Sequence, residues 1–310
     1  MGFKIAVIGA GSVGTGVAVL LQRQGYQVVG VASRTPESAA RAAERLRCPV
    51  GSPAEVARPA EVVFITTSDT AIGEVAKELA RHRAVGREHT VVHMSGSLTT
   101  DVLQPVADLG AKVVSIHPLQ SCASAERAIT NLPGSVFSIQ GDREAYPVAE
   151  QIVKDLGGEA FHIDREAKVL YHAAAAVASN YLVALLDLSQ KLMQATGMPE
   201  RLFLPALLPL VKGTLANVEE IGIPKALTGP ISRGDVITIS DHLHSMGEAC
   251  PQLIPLYVAL GRHTIEVALR KGTLDRRKAA LLEDLLHRYE KQYEIAECRR
   301  AEAVDTASTN

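Results

Sequence analysis

The sequence predicts an α/β protein in which a doubly wound, mainly parallel sheet is followed by an all-α domain. Up to about residue 163, short apolar runs rich in β-branched residues alternate with helical patterns, which is typical of parallel strands joined by helices. The runs are apolar throughout rather than alternating, as in strands that are covered on both faces. After Asp164 the strand patterns stop, and Gly or Pro separates one helical pattern from the next.

The element boundaries follow from these patterns. Segments predicted as strands are 3–9, 27–33, 61–67, 90–95, 111–116, 135–140 and 159–163. Helices predicted between them are 12–24, 36–46, 70–83, 99–109 and 143–156, and those predicted after them are 165–196, 199–217, 220–227, 230–245, 251–270 and 275–295. We therefore expect one domain over 1–163, a second over 164–298, and a disordered polar tail over 299–310.

Composition excludes several classes of function. The chain has 310 residues, 47% of them hydrophobic, and a formal net charge of −2, so neither a basic nucleic-acid surface nor a disordered chain is indicated. Four cysteines without a CxxC pair predict no metal site and no disulfide framework. No signal-like segment precedes the first strand, so we expect a cytoplasmic protein. The apolar stretch 173–188 is interrupted by polar residues and is predicted as a buried helix, not a membrane span.

A glycine-rich turn follows the first strand and begins a helix. It contains Gly9-x-Gly11-x-x-Gly14, the spacing in which the first glycine allows a tight turn, the second admits a pyrophosphate, and the third permits close helix packing. The backbone N–H groups of Ser12 and Val13 would then face the phosphates at the helix N-terminus. In this strand–turn–helix context we predict a dinucleotide site; the alternative is an ordinary glycine-rich turn.

The second strand ends in Ser33, Arg34 and Thr35 rather than in an acid. An acid at this position would bond the ribose 2′-hydroxyl of NAD and repel a 2′-phosphate. A guanidinium group can instead pair with a phosphate through two hydrogen bonds. The sequence therefore favours NADP over NAD, with Arg34 as a solvated residue, or stacked on adenine, as the alternatives.

Polar residues also follow the next three strands. Thr67 and Ser68 follow the third, Ser95 and Gly96 the fourth, and His117 ends the fifth. Ligands bind at the carboxyl ends of strands in open α/β sheets, so we expect these residues to contact ribose, nicotinamide or substrate. The alternatives are helix capping for the hydroxyls and a structural role for the histidine.

Two stretches of the helical half contain candidate chemistry. Lys168 and His172 are four residues apart and share a helix face with Ser179, while Asn180 flanks that face. Polar side chains in so apolar a helix need partners, which a cleft would supply; the alternative is a partly exposed lysine and a core asparagine.

The second stretch, 225–235, breaks at Gly229-Pro230. Thr228 and Arg233 lie close to this break. Arg233 is a candidate for holding a substrate carboxylate, because its planar fork matches one. The alternative is a structural ion pair between Arg233 and Asp235.

Taken together and in order, several motifs resemble one family. They are GAGSVG, SRT, HMSGSL, SIHPLQS, KxxYHAAAxxxSN and TGPISRGD, spread over about residues 3–290. They are similar to Rossmann-like oxidoreductases that carry an all-helical C-terminal domain of unknown function 2520. The architecture is more distantly similar to 6-phosphogluconate and 3-hydroxyisobutyrate dehydrogenases, ketopantoate reductases and pyrroline-5-carboxylate reductases.

The resemblance implies a mechanism and an assembly. The first two of those distant families carry a Lys-x-x-x-Asn pair, with the lysine as acid or base and the asparagine orienting the substrate. Lys168 matches the lysine, but His172 fills the asparagine position, so either His172 or Asn180 would take over that role. With the apolar helical half, the resemblance also implies a homodimer.

We therefore expect an oxidoreductase that transfers a hydride between NADPH and a small 2-oxo acid, such as 2-dehydropantoate, in an interdomain cleft. The alternatives are an imine reductase similar to pyrroline-5-carboxylate reductase and a nucleotide-binding regulatory protein without turnover.

Overall fold

The computed structural model describes residues 2–308, with side chains up to residue 296. The chain divides into two compact units, Met1–Tyr181 and Leu182–Asn310. The division falls inside the long helix Lys168–Ala195, whereas the sequence places its change of pattern after residue 163. The difference arises because Lys168 and Tyr171, near the start of this helix, bond to residues of the sheet.

The first unit is built on a seven-stranded sheet in the order β2-β1-β3-β4-β5-β6-β7. Its strands are β1 (Lys4–Ile8), β2 (Gln27–Ala32), β3 (Val62–Ile65), β4 (Thr90–His93), β5 (Lys112–Pro118), β6 (Val136–Gly141) and β7 (Glu159–His162). All neighbouring strands are parallel except β5 and β6. The predicted doubly wound, mainly parallel sheet is confirmed, and β1, β3, β4 and β5 end at one edge.

Helices cover both faces of this sheet. They are α1 (Ser12–Arg23), α2 (Pro36–Leu46), α3 (Pro53–Ala57), α4 (Asp69–Arg81), α5 (Gln104–Ala107), α6 (Ala125–Asn131) and α7 (Tyr146–Asp155). Ile5 and Val7 belong to one hydrophobic core and Ala6 and Ile8 to another, because successive strand residues point to opposite faces. The sheet is thus packed between two apolar layers. Polar groups can lie at the edge where the strands end.

Helices make up most of the remaining described residues. They are α8 (Lys168–Ala195), α9 (Phe203–Ile221), α10 (Ile223–Ala226), α11 (Pro230–Arg233), α12 (Val236–Ala249), α13 (Ile254–Lys271) and α14 (Arg276–Ser308). The single helix predicted over 230–245 is wrong, because Gly234 adopts a left-handed conformation (φ 67°) and separates α11 from α12. The backbone of α14 extends to Ser308, into the segment 299–310 for which the sequence predicts a disordered tail. The side chains of this segment, and residues 309–310 altogether, lie outside the described part of the chain.

The apolar helices α8 and α9 are largely exposed in the single chain. The sequence predicts a buried helix over 173–188, but Val177, Tyr181 and Val183 are between 58% and 68% exposed. By length and composition, two described segments could cross a membrane: Arg165–Ala195, with mean hydropathy 1.6, and Glu200–Ile221, with mean hydropathy 1.2. The core helix of a soluble protein passes the same test, so two such segments are weak evidence for a membrane span.

Candidate functional site

The glycine-rich turn after β1 is held in a tight conformation. Gly9 has a φ of 112°, which favours glycine, and its carbonyl accepts a hydrogen bond of 2.7 Å from Thr66 Oγ1. A Cβ at Gly14 would lie 2.2 Å from the same Thr66 Oγ1 and 2.4 Å from the Gly9 carbonyl oxygen. Gly9 therefore shapes the turn, and Gly14 lets α1 pack closely against it.

Gly11 is different, because it is exposed and no heavy atom lies within 4 Å of where its Cβ would be. It occupies the N-cap position of α1 without a side-chain capping bond. The first N–H groups of a helix lack partners within the helix, so Ser12 and Val13 present such groups beside the open space. The turn thus has the shape and the donors to hold a pyrophosphate.

The end of β2 carries the residues that favour a phosphate. Ser33 is half-buried, whereas Arg34 and Thr35 are exposed. Thr35 is at the N-cap of α2, again without a side-chain capping bond. No acid stands among them, so the Arg34 guanidinium is free of a carboxylate within this stretch.

The residues after β3 lie at the start of α4. Ser68 is at its N-cap position and makes no side-chain capping bond, and its hydroxyl lies 3.2 Å from that of Thr70. The Thr67 hydroxyl lies 3.4 Å from the Ser68 carbonyl oxygen. Asp69, the first residue of α4, directs its carboxylate to Ser95 and Ser97 instead of capping the helix.

Lys168 is a buried cation of the first unit. Its side chain is 0% exposed, and its ammonium group donates to Ser115 Oγ at 2.7 Å and to the Ser95 carbonyl at 3.0 Å. The alternative of a partly exposed lysine is therefore wrong. Burial lowers the pKa of Lys168 to about 8, although the Asp69 carboxylate opposes this shift. Lys168 can thus give or take a proton near neutral pH.

Ser95 connects the groups around Lys168. Its hydroxyl donates to Asp69 at 2.8 Å, its N–H donates to His93 Nδ1 at 3.2 Å, and its carbonyl accepts from Lys168. Its hydroxyl also accepts from the Leu98 N–H. One short turn after β4 therefore joins α4, β4 and α8.

A second group of polar side chains lies at the end of β5. His117 Nδ1 and the Tyr171 hydroxyl are 3.0 Å apart, and the His117 and His172 rings meet edge to face with centroids 6.0 Å apart. A Cβ at Gly96 would lie 2.5 Å from His172 Nδ1 and 2.8 Å from His117 Nε2. Only a glycine at this position lets the two rings approach the turn after β4.

Buried His93 and half-buried His117 are neutral at physiological pH. Burial, followed by the charge of Lys168, lowers the pKa of His93 to about 3. Burial, the charge of Lys168 and the neighbouring His172 lower the pKa of His117 to about 4. Since neither histidine carries a proton in excess at pH 7, the positive charge in this cluster belongs to Lys168.

A pocket of about 580 Å³ opens beside these groups within the first unit. His117, Tyr171 and His172 line it together with Ser179 and Asn180, two residues that the sequence also singles out. Its remaining lining residues are Leu119, Gln120, Ser121, Ala174, Ala175, Ala176 and Ala178. His172, Ser179 and Asn180 of the predicted face of α8 therefore line a pocket wall of mostly small apolar side chains, whereas Lys168 is buried and is not among the lining residues.

Thr228 and Arg233 lie in the second unit, and their contact with substrate stays a prediction. Arg233 is exposed. Asp235, its possible partner, caps α12 through hydrogen bonds to the Thr238 N–H (3.1 Å) and hydroxyl (2.7 Å). Thr228 lines a cavity of about 760 Å³ among α8, α11, α12 and α13. Among the described side chains, no group of three or more His, Cys, Asp or Glu could hold a metal ion.

Four residues that surround Lys168 or its partner Ser95 were not predicted from the sequence: Asp69, His93, Ser97 and Ser115. His93 and Ser115 lie within strands and read as ordinary strand residues, while Asp69 reads as a helix cap. The available signal was their alignment, since His93 pairs with Ser115 in the sheet register. A polar pair at adjacent strand ends in an otherwise apolar sheet indicates a site.

Comparison with known proteins agrees with this architecture. The Rossmann-like domain family matches residues 2–118, and the domain of unknown function 2520 matches residues 135–264. No curated protein matches the chain.

Among solved structures, a provisionally assigned NADP oxidoreductase from Bacteroides fragilis is 26% identical, with a TM-score of 0.71 over 86% of this chain and 98% of its own. A protein from Thermotoga maritima is 28% identical, with a TM-score of 0.68 over 86% and 99%. A pyrroline-5-carboxylate reductase from Streptococcus pyogenes is 17% identical, with a TM-score of 0.58 over 88% and 98%, and shares the fold. The chain thus combines a Rossmann-like domain with a domain of unknown function 2520, as the sequence motifs predict.

Proposed function

We propose that the protein is an NADP-dependent oxidoreductase that reduces a small 2-oxo acid. The observation that carries this proposal is Lys168, a fully buried lysine with a pKa near 8, at the strand ends where an open α/β sheet binds its ligand. A buried, weakly paired cation lowers stability, and perturbed groups of this kind cluster at catalytic sites. The solved relative from Bacteroides fragilis, assigned as an NADP oxidoreductase, supports the cofactor.

The cofactor would lie along the carboxyl edge of the sheet. Gly9, Gly11 and Gly14, with the N–H groups of Ser12 and Val13, would hold its pyrophosphate, and Ser33, Arg34 and Thr35 its 2′-phosphate. The residues after β3 and β4, namely Thr67, Ser68, Ser95 and Gly96, would contact the ribose and nicotinamide. Bound NADPH supplies the hydride.

The protein's own residues would move the proton. The Lys168 ammonium group would give a proton to the carbonyl oxygen of the substrate, where reduction of the carbonyl group would develop negative charge. Neutral His117 is bonded to Tyr171 and packs edge to face against the His172 ring, so it would hold His172 at the pocket wall. His172 and Asn180 would orient the substrate. Lys168 would regain its proton after product release.

An assay of NADPH oxidation tests the substrate class. Loss of NADPH absorbance is measured with a panel of 2-oxo acids, 2-dehydropantoate included, and of cyclic imines, and repeated with NADH. We expect turnover with a 2-oxo acid. The fold shared with a pyrroline-5-carboxylate reductase makes imine reduction the second candidate, and turnover only with cyclic imines would select it. NADPH binding without turnover on either class would favour a regulatory protein.

We expect Arg34→Asp to reverse the cofactor preference. The substitution removes the guanidinium group and places a carboxylate where it repels a 2′-phosphate. The ratio of NADH to NADPH dissociation constants, measured by nucleotide fluorescence, should fall at least tenfold, which corresponds to about 1.4 kcal/mol. Lys154→Asp, which makes the same charge change on α7, is the control. An unchanged ratio in Arg34→Asp would remove the argument for NADP from this stretch.

We further propose that the protein is a homodimer. Val183 on α8 and Leu210 on α9 are 68% and 67% exposed in the single chain, and apolar helix faces of this kind are usually covered by a partner. Light scattering at micromolar concentration should give twice the monomer mass. Val183→Glu and Leu210→Glu should each lower the measured mass towards that of the monomer. Val50→Glu, at an exposed apolar residue of the first unit, should not. A monomeric wild type would contradict the proposal.

A further inference from the structure

The turn after β4 is bonded to α4 through one carboxylate. Asp69 Oδ2 accepts hydrogen bonds from Ser95 Oγ at 2.8 Å and from Ser97 Oγ at 2.9 Å. Asp69 itself is exposed on one side, so the bond to the buried Ser95 hydroxyl reaches inward from the surface. These two bonds fix the conformation of the turn from one side.

The same turn meets Lys168 on its other side. The Ser95 carbonyl accepts from the Lys168 ammonium group at 3.0 Å, and Ser115 Oγ accepts from it at 2.7 Å. Asp69 and Lys168 thus share Ser95 as a partner without touching each other. A change at Asp69 reaches Lys168 by two routes, the position of the Ser95 carbonyl and the field of the carboxylate.

Asp69 is the neighbouring group whose charge can stabilise the protonated Lys168 ammonium group. His93 on β4 and His117 on β5 are neutral near pH 7, and His172 and Tyr171 follow on α8 itself. The Asp69 carboxylate is the acidic group that opposes the effect of burial on Lys168. It is therefore the group that favours the protonated ammonium in a site that otherwise disfavours it.

We propose that Asp69 is a positioning residue for Lys168: it fixes the Ser95 carbonyl against the ammonium group and supplies the charge that keeps this group protonated. Asp69 would act on Lys168 through Ser95, whose hydroxyl donates to its carboxylate. The catalytic benefit of this coupling rests on the proposed function. The coupling of Asp69 to Lys168 itself does not, because it can be measured in a protein that turns over no substrate.

The test is the titration of Lys168 observed by NMR in the protein labelled with [ε-¹³C]lysine, the resonance being assigned by its loss in Lys168→Met. Asp69→Asn keeps a side-chain acceptor for the two serines and removes the charge. We expect its Lys168 midpoint to move to lower pH by about 0.5–1 unit, less than a direct ion pair would give. Asp69→Glu should restore the wild-type midpoint, and Glu74→Gln, on the same helix, should leave it unchanged.

Two results separate this inference from the proposed function. An unchanged midpoint in folded Asp69→Asn, with a lower melting temperature alone, would show that Asp69 is merely structural and would overturn the inference. If Asp69→Asn does not fold, Asp69→Ser tests the same coupling, because it also removes the carboxylate and keeps a hydroxyl acceptor for the two serines, and an unchanged midpoint there overturns the inference equally. A shifted midpoint in a protein without reductase activity would uphold the coupling and contradict the proposed function.

Discussion

Lys168→Met is expected to lower kcat/KM for the reduction by a factor of about 10²–10⁴, the usual contribution of a positioned proton donor. The affinity for NADPH should remain that of the wild type, because no residue of the glycine-rich turn changes. In the wild type, the rate should fall as pH rises through about 8, where Lys168 loses its proton. Lys168→Met should lack this decline.

The same variant should be more stable than the wild type. The pKa of Lys168 falls from 10.5 to about 8 on folding. Burying the charged ammonium group therefore lowers the free energy of unfolding by its full amount below pH 8. Between the two values the unfolded chain binds more protons, and the stability of the wild type rises with pH. The gain in melting temperature for Lys168→Met should therefore be largest at pH 8 and below and disappear towards pH 10.5.

The structure accommodates this loss of the ammonium group. Ser115 Oγ lies 3.4 Å from the Ser95 carbonyl oxygen, so the two former partners of Lys168 can bond to each other. Lys112→Met, at the other end of β5, is the control and should change neither rate nor pH profile. Normal turnover in Lys168→Met, on the substrate found by assay, would refute the role proposed for Lys168.

Gly11→Ala should weaken NADPH binding by at least tenfold, about 1.4 kcal/mol, without lowering the melting temperature. A methyl group at Gly11 meets no protein atom within 4 Å and can disturb only what lies in the space above the turn. That space is where the pyrophosphate is proposed to lie. Nucleotide fluorescence and thermal unfolding measure the two quantities.

Gly14→Ala is the matched control in the same turn. Its methyl group would lie 2.2 Å from Thr66 Oγ1 and 2.4 Å from the Gly9 carbonyl oxygen, so this variant should lose stability, with or without NADPH. If Gly11→Ala binds NADPH as tightly as the wild type, the pyrophosphate does not lie over Gly11.

The sheet could be predicted from the sequence because its signals are local. Each strand is a short apolar run, and Gly9, Gly11 and Gly14 mark the turn by their spacing alone. The break at Gly234 was missed because a single glycine within a helical pattern is often tolerated. The sequence does not predict the exposure of α8, because it shows that the side chains of this helix are apolar but not whether other parts of the same chain pack against them.

The candidate site was only partly predictable for the same reason. Lys168 and His172 stand out as polar residues in an apolar helix, and the residues after β4 stand out by following a strand. That Lys168 bonds to the Ser95 carbonyl, and that Ser95 bonds to Asp69, depends on which strands are neighbours. Strand order and the path of α8 are properties of the whole fold, which no single motif contains.

The most direct test of the central claim is a crystal structure of the protein with bound NADPH. The pyrophosphate should lie over Gly11, and the nicotinamide should face the pocket lined by His117 and His172, next to the Lys168 ammonium group. Such a structure would place hydride and proton donors at one carbonyl group. A nicotinamide turned away from Lys168, or NADPH bound elsewhere than at the glycine-rich turn, would contradict the proposed oxidoreductase site.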